Sequence, residues 1–357
     1  MAAAIAASFL LDLTVTLLAA PAVSNTLGAA VLLTSDTLDG GGAGTYLPFT
    51  SSTDVADALA ASKIVSGTAA ALNVALGQDK RPSAIYVVTY GAGDPYAGLT
   101  LAIEAGLDVG AFVLATTSEA VLETCATAYA ADSRRSRMVM IAQSADTGLY
   151  GVGKPASLDA LEQATIKVDY SGDTDYLAAA RLGRLCGQDL TTGLPGATFR
   201  PLSVAPPTIT NAQVVLLKDN DSGCCLKQNY GATATERITV GEKSYDGSSW
   251  SAAVACVYVC RQLFAVLLDI WNSHAVSGIA LQAGPVGMAE VASAAQGVIA
   301  PLAAVGYFTP VEAAPAGYLI TPGVASDAGG AYLTLDVTLY IAREAYRISV
   351  PITGQEV

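Results

Sequence analysis

Basic residues are scarce in this chain, and histidine is almost absent. Its 357 residues include 18 Lys and Arg against 31 Asp and Glu, a net charge of −13, and one histidine, His274. Phosphate backbones are bound by clustered cations, so a chain this acidic removes DNA and RNA from the expected partners. Any Ser-His-Asp or Cys-His relay would have to run through His274, and no nucleophile motif accompanies it. Gly40-Gly41-Gly42-Ala43-Gly44 is not followed by the Gly-Lys-Ser/Thr of a phosphate loop. Gly151-Val152-Gly153-Lys154-Pro155 has proline where the Mg²⁺-binding hydroxyl would stand. Neither an H-E-x-x-H motif nor an EF-hand loop is present, and the usual C-x-x-C zinc pairs are missing. No catalytic residue, metal or cofactor is expected.

No Lys or Arg precedes Lys63, so an N-terminal signal peptide would lack its basic segment, although Leu18-Ala19-Ala20-Pro21-Ala22 resembles a cleavage region. The same stretch alternates. Phe9, Leu11, Leu13, Val15 and Leu17 fall on one face and Asp12, Thr14 and Thr16 on the other, the period of a strand. Charge is sparse throughout, at 14% against 52% hydrophobic residues rich in alanine. That composition points to a large buried core or large subunit interfaces with close backbone packing. The most apolar run, 251–272, is interrupted by Arg261, Gln262 and Asp269, which marks a core helix and no stable membrane insertion.

The six cysteines are Cys125, Cys186, Cys224, Cys225, Cys256 and Cys260. Two readings stay open: buried thiols acting as small hydrophobes, or disulfides within or between subunits. Cys224 and Cys225, in what reads as a polar loop, are the leading candidates for a bond between subunits.

The remaining pattern is mixed. Strands are expected over 27–34, 84–90, 111–115, 138–143, 214–218, 332–340 and 346–352. Helices are expected from Val55 behind a run of N-cap residues, over 63–76, 99–104, 118–130 and 250–272, and over 287–305 with a break near Pro301. Residues 160–170 and 176–186 continue the mixed pattern. Residues 194–207, with four prolines, read as a connector, and 219–247 as polar loop. The apolar strands at both ends are unusual, because a terminal strand is an unfinished template unless another strand completes it. Pairing with neighbouring chains by strand addition resolves this. The residues assigned to such pairing are Phe9, Leu11, Leu13, Val15, Leu17, Leu333, Leu335, Val337, Leu339, Ile348 and Val350.

The order of several segments resembles the contractile phage tail sheath family, shared by related injection systems. The carrying phrases are Leu10 to Thr34; Tyr46-Leu47-Pro48-Phe49-Thr50-Ser51; and Arg81-Pro82-Ser83-Ala84-Ile85-Tyr86-Val87, like the family's N-x-R-P-S phrase entering a core strand. Further on come Ala178 to Gly187, Phe199-Arg200-Pro201-Leu202, Asn229-Tyr230-Gly231, Glu236 to Gly241, Tyr245-Asp246-Gly247 and Gly317-Tyr318-Leu319-Ile320. Residues 91–194 match poorly, and in that family the region is a freely varying outward insertion.

The resemblance implies an α+β fold with a core built from N- and C-terminal parts: a strand arm over 1–25, core over 26–94, an inserted outward-facing α/β domain over 95–200, core over 201–330 and a second strand arm over 331–357. It implies a structural subunit in stacked hexameric rings around an inner tail tube, with tube, baseplate and tail terminator proteins as partners. It places the chain in the virion tail and, during assembly, in the host cytoplasm. The flexible connectors of such a mesh would be 21–25 and 321–330. Alternative readings are a secreted or surface-layer structural protein, or a small-molecule-binding α/β enzyme using the strand–helix–strand unit.

Overall fold

The structure is a computed structural model that describes residues 25–91, 94–114, 118–144, 165–170, 176–195, 202–204, 206–230, 234–240, 244, 249–327 and 330–342. The fold is α+β. Six strands form one sheet: β1 (Ala29–Thr34), β2 (Tyr46–Phe49), β3 (Ile85–Thr89), β4 (Val109–Leu114), β5 (Val139–Ser144) and β6 (Ile166–Tyr170), in the order β2-β3-β1-β4-β5-β6. Only β2 runs antiparallel to its neighbour. It is an edge strand and carries Pro48, a residue that edges tolerate.

The parallel strands read as unbroken apolar runs because both faces are covered. Along β1, Ala30 and Leu32 enter one core and Val31 and Leu33 the other. The first core holds helices α1 (Ser52–Ala60) and α2 (Ser66–Leu76), together with α5 (Leu177–Gly187). The second holds α3 (Pro95–Glu104) and α4 (Glu119–Ala131). The N-cap run before Val55 acts as expected: Ser51 accepts from the Asp54 amide while the Asp54 carboxylate accepts from the Ser51 and Thr50 amides. Strands β4, β5 and β6 extend the sheet begun by β1 and β3, so the division placed at 94/95 does not coincide with a break in the sheet.

Two expectations are overturned between 206 and 240. Residues 214–218 lie in a helix, α6 (Asn211–Asp219), not a strand. Val214 and Leu217 are buried at helical spacing while Val215 and Leu216 face out. Thr210 and Gln213 close a reciprocal cap, each side chain accepting from the other's amide, and that local signal outweighs the β-branched composition. The supposed polar loop contains a hairpin, β7 (Cys224–Tyr230) with β8 (Ala234–Val240).

The long helix α7 (Trp250–Ser277) is capped by Ser249 and ends at Gly278 in the left-handed region. It is buried over most of the stretch from Trp250 to Leu268. Its Arg261 donates to the carbonyls of Val109 and Arg137 and pairs with Asp108, so the charge interrupting the apolar run locks the helix to the sheet. Helix α8 (Pro285–Ala304) runs through Pro301 without the expected break. Pro301 forfeits one main-chain bond, to the Gly297 carbonyl, and the helix ends three residues later.

Candidate assembly surface

The last described element is a two-stranded hairpin, β9 (Tyr318–Asp327) and β10 (Gly330–Leu339), lying across α8. Of the connector expected over 321–330, residues 321–327 and 330 are strand. Pro322 and Gly323 carry loop chemistry but sit within a paired register. That register is constant along the hairpin, and the Tyr340 amide donates to Gly317 O. Bonded pairs in an antiparallel ladder alternate, so the even-numbered residues of β10 bond β9 and the odd-numbered ones direct their main-chain groups to the outer edge. Pro322 opposes Leu335, an unbonded rung, which is why the hairpin tolerates a residue without an N–H.

From Leu333 to Leu339 the odd-numbered side chains of β10 face inward. Leu335, Val337 and Leu339 are only 5–7% exposed and share a core cluster with Val291, Ala295 and Ile299 of α8, against which Leu333 also packs. These four were expected to supply an apolar face to neighbouring subunits. Leu335, Val337 and Leu339 place their side chains in the core of their own subunit with Leu333 half-buried beside them, and the part of the expected 331–357 arm that is described pairs with β9 and, at Ala342, with Tyr307. What stays open is the main chain: among the described residues no strand pairs with the outer edge of β10.

The base of the hairpin gathers both ends of the described chain. Thr309 N donates to Tyr340 O and Ala342 N to Tyr307 O. The fully buried Tyr307 donates its hydroxyl to Leu190 O, and Leu190 N donates to Asn25 O. Residues 25 and 342 thus meet at one hydrogen-bonded node.

The α7–α8 turn forms a second exposed feature. Trp271, Val276, Ile279 and Val286 are exposed there, Val276 at 89%. His274 braces this turn: Nε2 stands 3.0 Å from both Glu290 carboxylate oxygens and Nδ1 3.0 Å from Ile279 O. The carboxylate, and then the carbonyl, raise the His274 pKa above its usual 6.5, because both favour an imidazolium donating from both nitrogens. The sole histidine therefore joins two helices.

No protein-family model and no curated protein matches the sequence. Solved structures do match the fold. One is the helical sheath of the anti-feeding prophage in its contracted state, with a TM-score of 0.63 at 15% identity over 92% of this chain and 94% of that one. Another is the sheath tail protein of Listeria innocua, with a TM-score of 0.57 at 10% identity over 88% of this chain and 96% of that one. The fold is that of a tail sheath protein. The part of the chain outside the first match is far shorter than 95–200, so the sheath fold extends into the region where sequence resemblance fails.

Of the residues assigned to pairing in this sheath fold, Phe9, Leu11, Leu13, Val15, Leu17, Ile348 and Val350 lie outside the described residues, as do 21–24 of the first connector and the strand expected over 346–352. Cys125, Cys186, Cys256 and Cys260 are free thiols. Cys224 and Cys225 are not in a polar loop; they begin β7 and are fully buried, Cys224 beside Val214 and Leu217 of α6. Neither thiol reaches the surface of the subunit. Burial pushes Cys186 and Cys256 up to about 12, and Cys125 and Cys260 up as well, so all four stay protonated and unreactive. The feature that sequence reasoning missed is β9, together with the parity it imposes on the edge of β10.

Proposed function

We propose that this chain is the sheath subunit of a contractile tail or related injection device: it polymerises as stacked hexameric rings around an inner tail tube, and the rings contract to drive the tube through an envelope. The observation that carries this reading is the likeness to two sheath structures over nearly the whole of each chain. The unfinished β9–β10 hairpin, set where both described ends of the chain meet, supports it. Strands supplied by the terminal segments of neighbouring copies would complete the hairpin by β-augmentation, in which main-chain bonds give affinity without demanding particular side chains. Such links hold while rigid subunits slide and rotate between two packings. The tube, baseplate and terminator proteins would be the other partners, the virion tail the site of action and the host cytoplasm the site of assembly. The chain would work by changing its packing, with no catalytic role.

Electron microscopy of the expressed full-length chain tests this, with tubes showing a regular helical lattice as the expected result. A chain that sediments as a monomer at every concentration and forms no tubes overturns it.

A further inference from the structure

Arg137 is a cation without a counter-ion in its own subunit. It closes the short 3-10 helix Ser133–Arg137 that leads into β5, and its guanidinium carbon lies over the Phe264 ring of α7, 4.2 Å from the centroid. The cations around it are engaged. Arg134 pairs with Asp132, Arg135 donates to Ala130 O, and Arg261 donates to Asp108 and to the carbonyls of Val109 and Arg137. Among the described residues no carboxylate, carbonyl or hydroxyl accepts from the Arg137 side chain. The charges that reach it from a distance are Arg261, Asp108, Arg134 and Asp132, and both of those carboxylates already hold another arginine. The side chain is partly buried. That burial, and then the Arg261 charge, lower its pKa from the ordinary arginine value, so the subunit alone disfavours the cation it carries. Desolvated charges are normally paired. Stacking on Phe264 covers one face of the guanidinium and leaves its in-plane N–H fork, the group that grips a carboxylate through two parallel bonds.

The complementary charge stands in excess elsewhere on the same chain. Residues 262–342 carry Asp269, Glu290, Glu312, Asp327 and Asp336 and no Lys or Arg. Glu290 takes His274. Asp269, Glu312 and Asp336 are exposed, and among the described residues no cation pairs with any of them. We propose that Arg137 is a docking site for a carboxylate of a second copy of this chain, supplied by Asp269, Glu312 or Asp336 of its cation-free stretch. This rests on the sheath reading above, which requires contacts between copies; it adds a contact between folded bodies, separate from any strand that terminal segments supply. Donor and acceptor are different patches, so the contact is heterologous, the kind that builds rings and helical filaments rather than closed pairs. The arriving carboxylate replaces the hydration that Arg137 has lost to burial, and it brings a fixed partner for the in-plane fork.

The test uses the full-length chain and measures pelletable polymer. Arg137→Glu is expected to lower the polymer several-fold, and combining it with Asp269→Arg, Glu312→Arg or Asp336→Arg is expected to restore the parent yield for one of the three. Arg137→Met keeps an apolar chain over Phe264 and removes the charge. It is expected to lower the polymer while the thermal midpoint of the dissociated subunit stays at or above the parent's, because the cation has no partner there. A role for Arg137 inside its own subunit would lower that midpoint instead. Full polymer yield from Arg137→Glu, a lowered midpoint in Arg137→Met, or rescue by none of the three reversals each overturn the inference. A parent chain that stays monomeric overturns the sheath reading and this contact with it, whereas a parent that polymerises as well as its Arg137→Glu variant overturns the contact alone.

Discussion

Asp169, at 0% exposure, receives both Nε and Nη2 of Arg181, at 2.6 and 3.0 Å, with Lys167 Nζ at 3.9 Å. Gly223 lies so close over this cluster that a Cβ there would collide with the Asp169 carboxylate, and its main chain bonds Val168 and Tyr170 to continue the β6 edge. Arg181 supplies two close hydrogen bonds to the carboxylate, and its removal leaves Asp169 with Lys167 as a more distant cation; a hydrogen bond to a charged group is typically worth about 1.5–3 kcal/mol. Arg181→Met is therefore expected to lower the urea midpoint sharply, and an unchanged midpoint would show that the cluster contributes nothing to the fold. The sequence did not announce this cluster. Lys167, Asp169 and Arg181 look like ordinary surface charges until packing of α5 against β6 brings them together.

His274 was legible as a residue with no catalytic company, but its partner Glu290 lies sixteen residues away on another helix. Its raised folded-state pKa fixes the sign of a pH effect. The stabilisation is fully present below the unfolded value of 6.5 and is lost as pH rises through the higher folded value. The difference in denaturation midpoint between the parent chain and His274→Gln should accordingly be larger on the acid side of 6.5 than well above it. A difference that grows with pH would contradict the pairing.

Elements were legible where local chemistry and burial agree. The α1 cap, the apolar runs of β1, β3 and β4, and the length of α7 follow from capping residues and from burial on one or both faces. They failed where two local signals compete. In 210–219 a run of Val and Leu suggests a strand, while Thr210 and Gln213 spell a helix start, and the cap prevails because only alternate pairs at helical spacing reach the core. Thr210→Ala should cost about 1 kcal/mol, the usual worth of an N-cap side chain. Substituting lysine for Val215 (56% exposed) or Leu216 (42% exposed) should stay within about 0.5 kcal/mol. A strand would bury one of those two, so a large loss at either position in a chemical denaturation series would restore the discarded reading. The hairpin strand β9 was hidden for a related reason: Pro322 and Gly323 are turn residues, and only the parity of the ladder makes room for them.

At the scale of the molecule, the sequence spoke for a mixed fold and for strands near both ends. It could not say which way the side chains of 333–339 face, because an apolar alternation looks the same whether its face meets a neighbour or its own core. The node joining Asn25, Leu190, Tyr307 and Ala342 ties the two described ends together. Chains lacking 1–17 or lacking 343–357 keep every described bond of the node and the hairpin, so each should fold with the parent's thermal midpoint yet form no tubes. A cut after Tyr340 is different: it also removes the Ala342 bond to Tyr307 and the Phe308–Ile341 bridge, so it should lower the midpoint as well as abolish assembly. Calorimetry and electron microscopy on the three truncations separate the two effects. Regular tubes from either of the shorter truncations would mean that copies are held together by faces of the folded body, with the terminal segments irrelevant to the lattice.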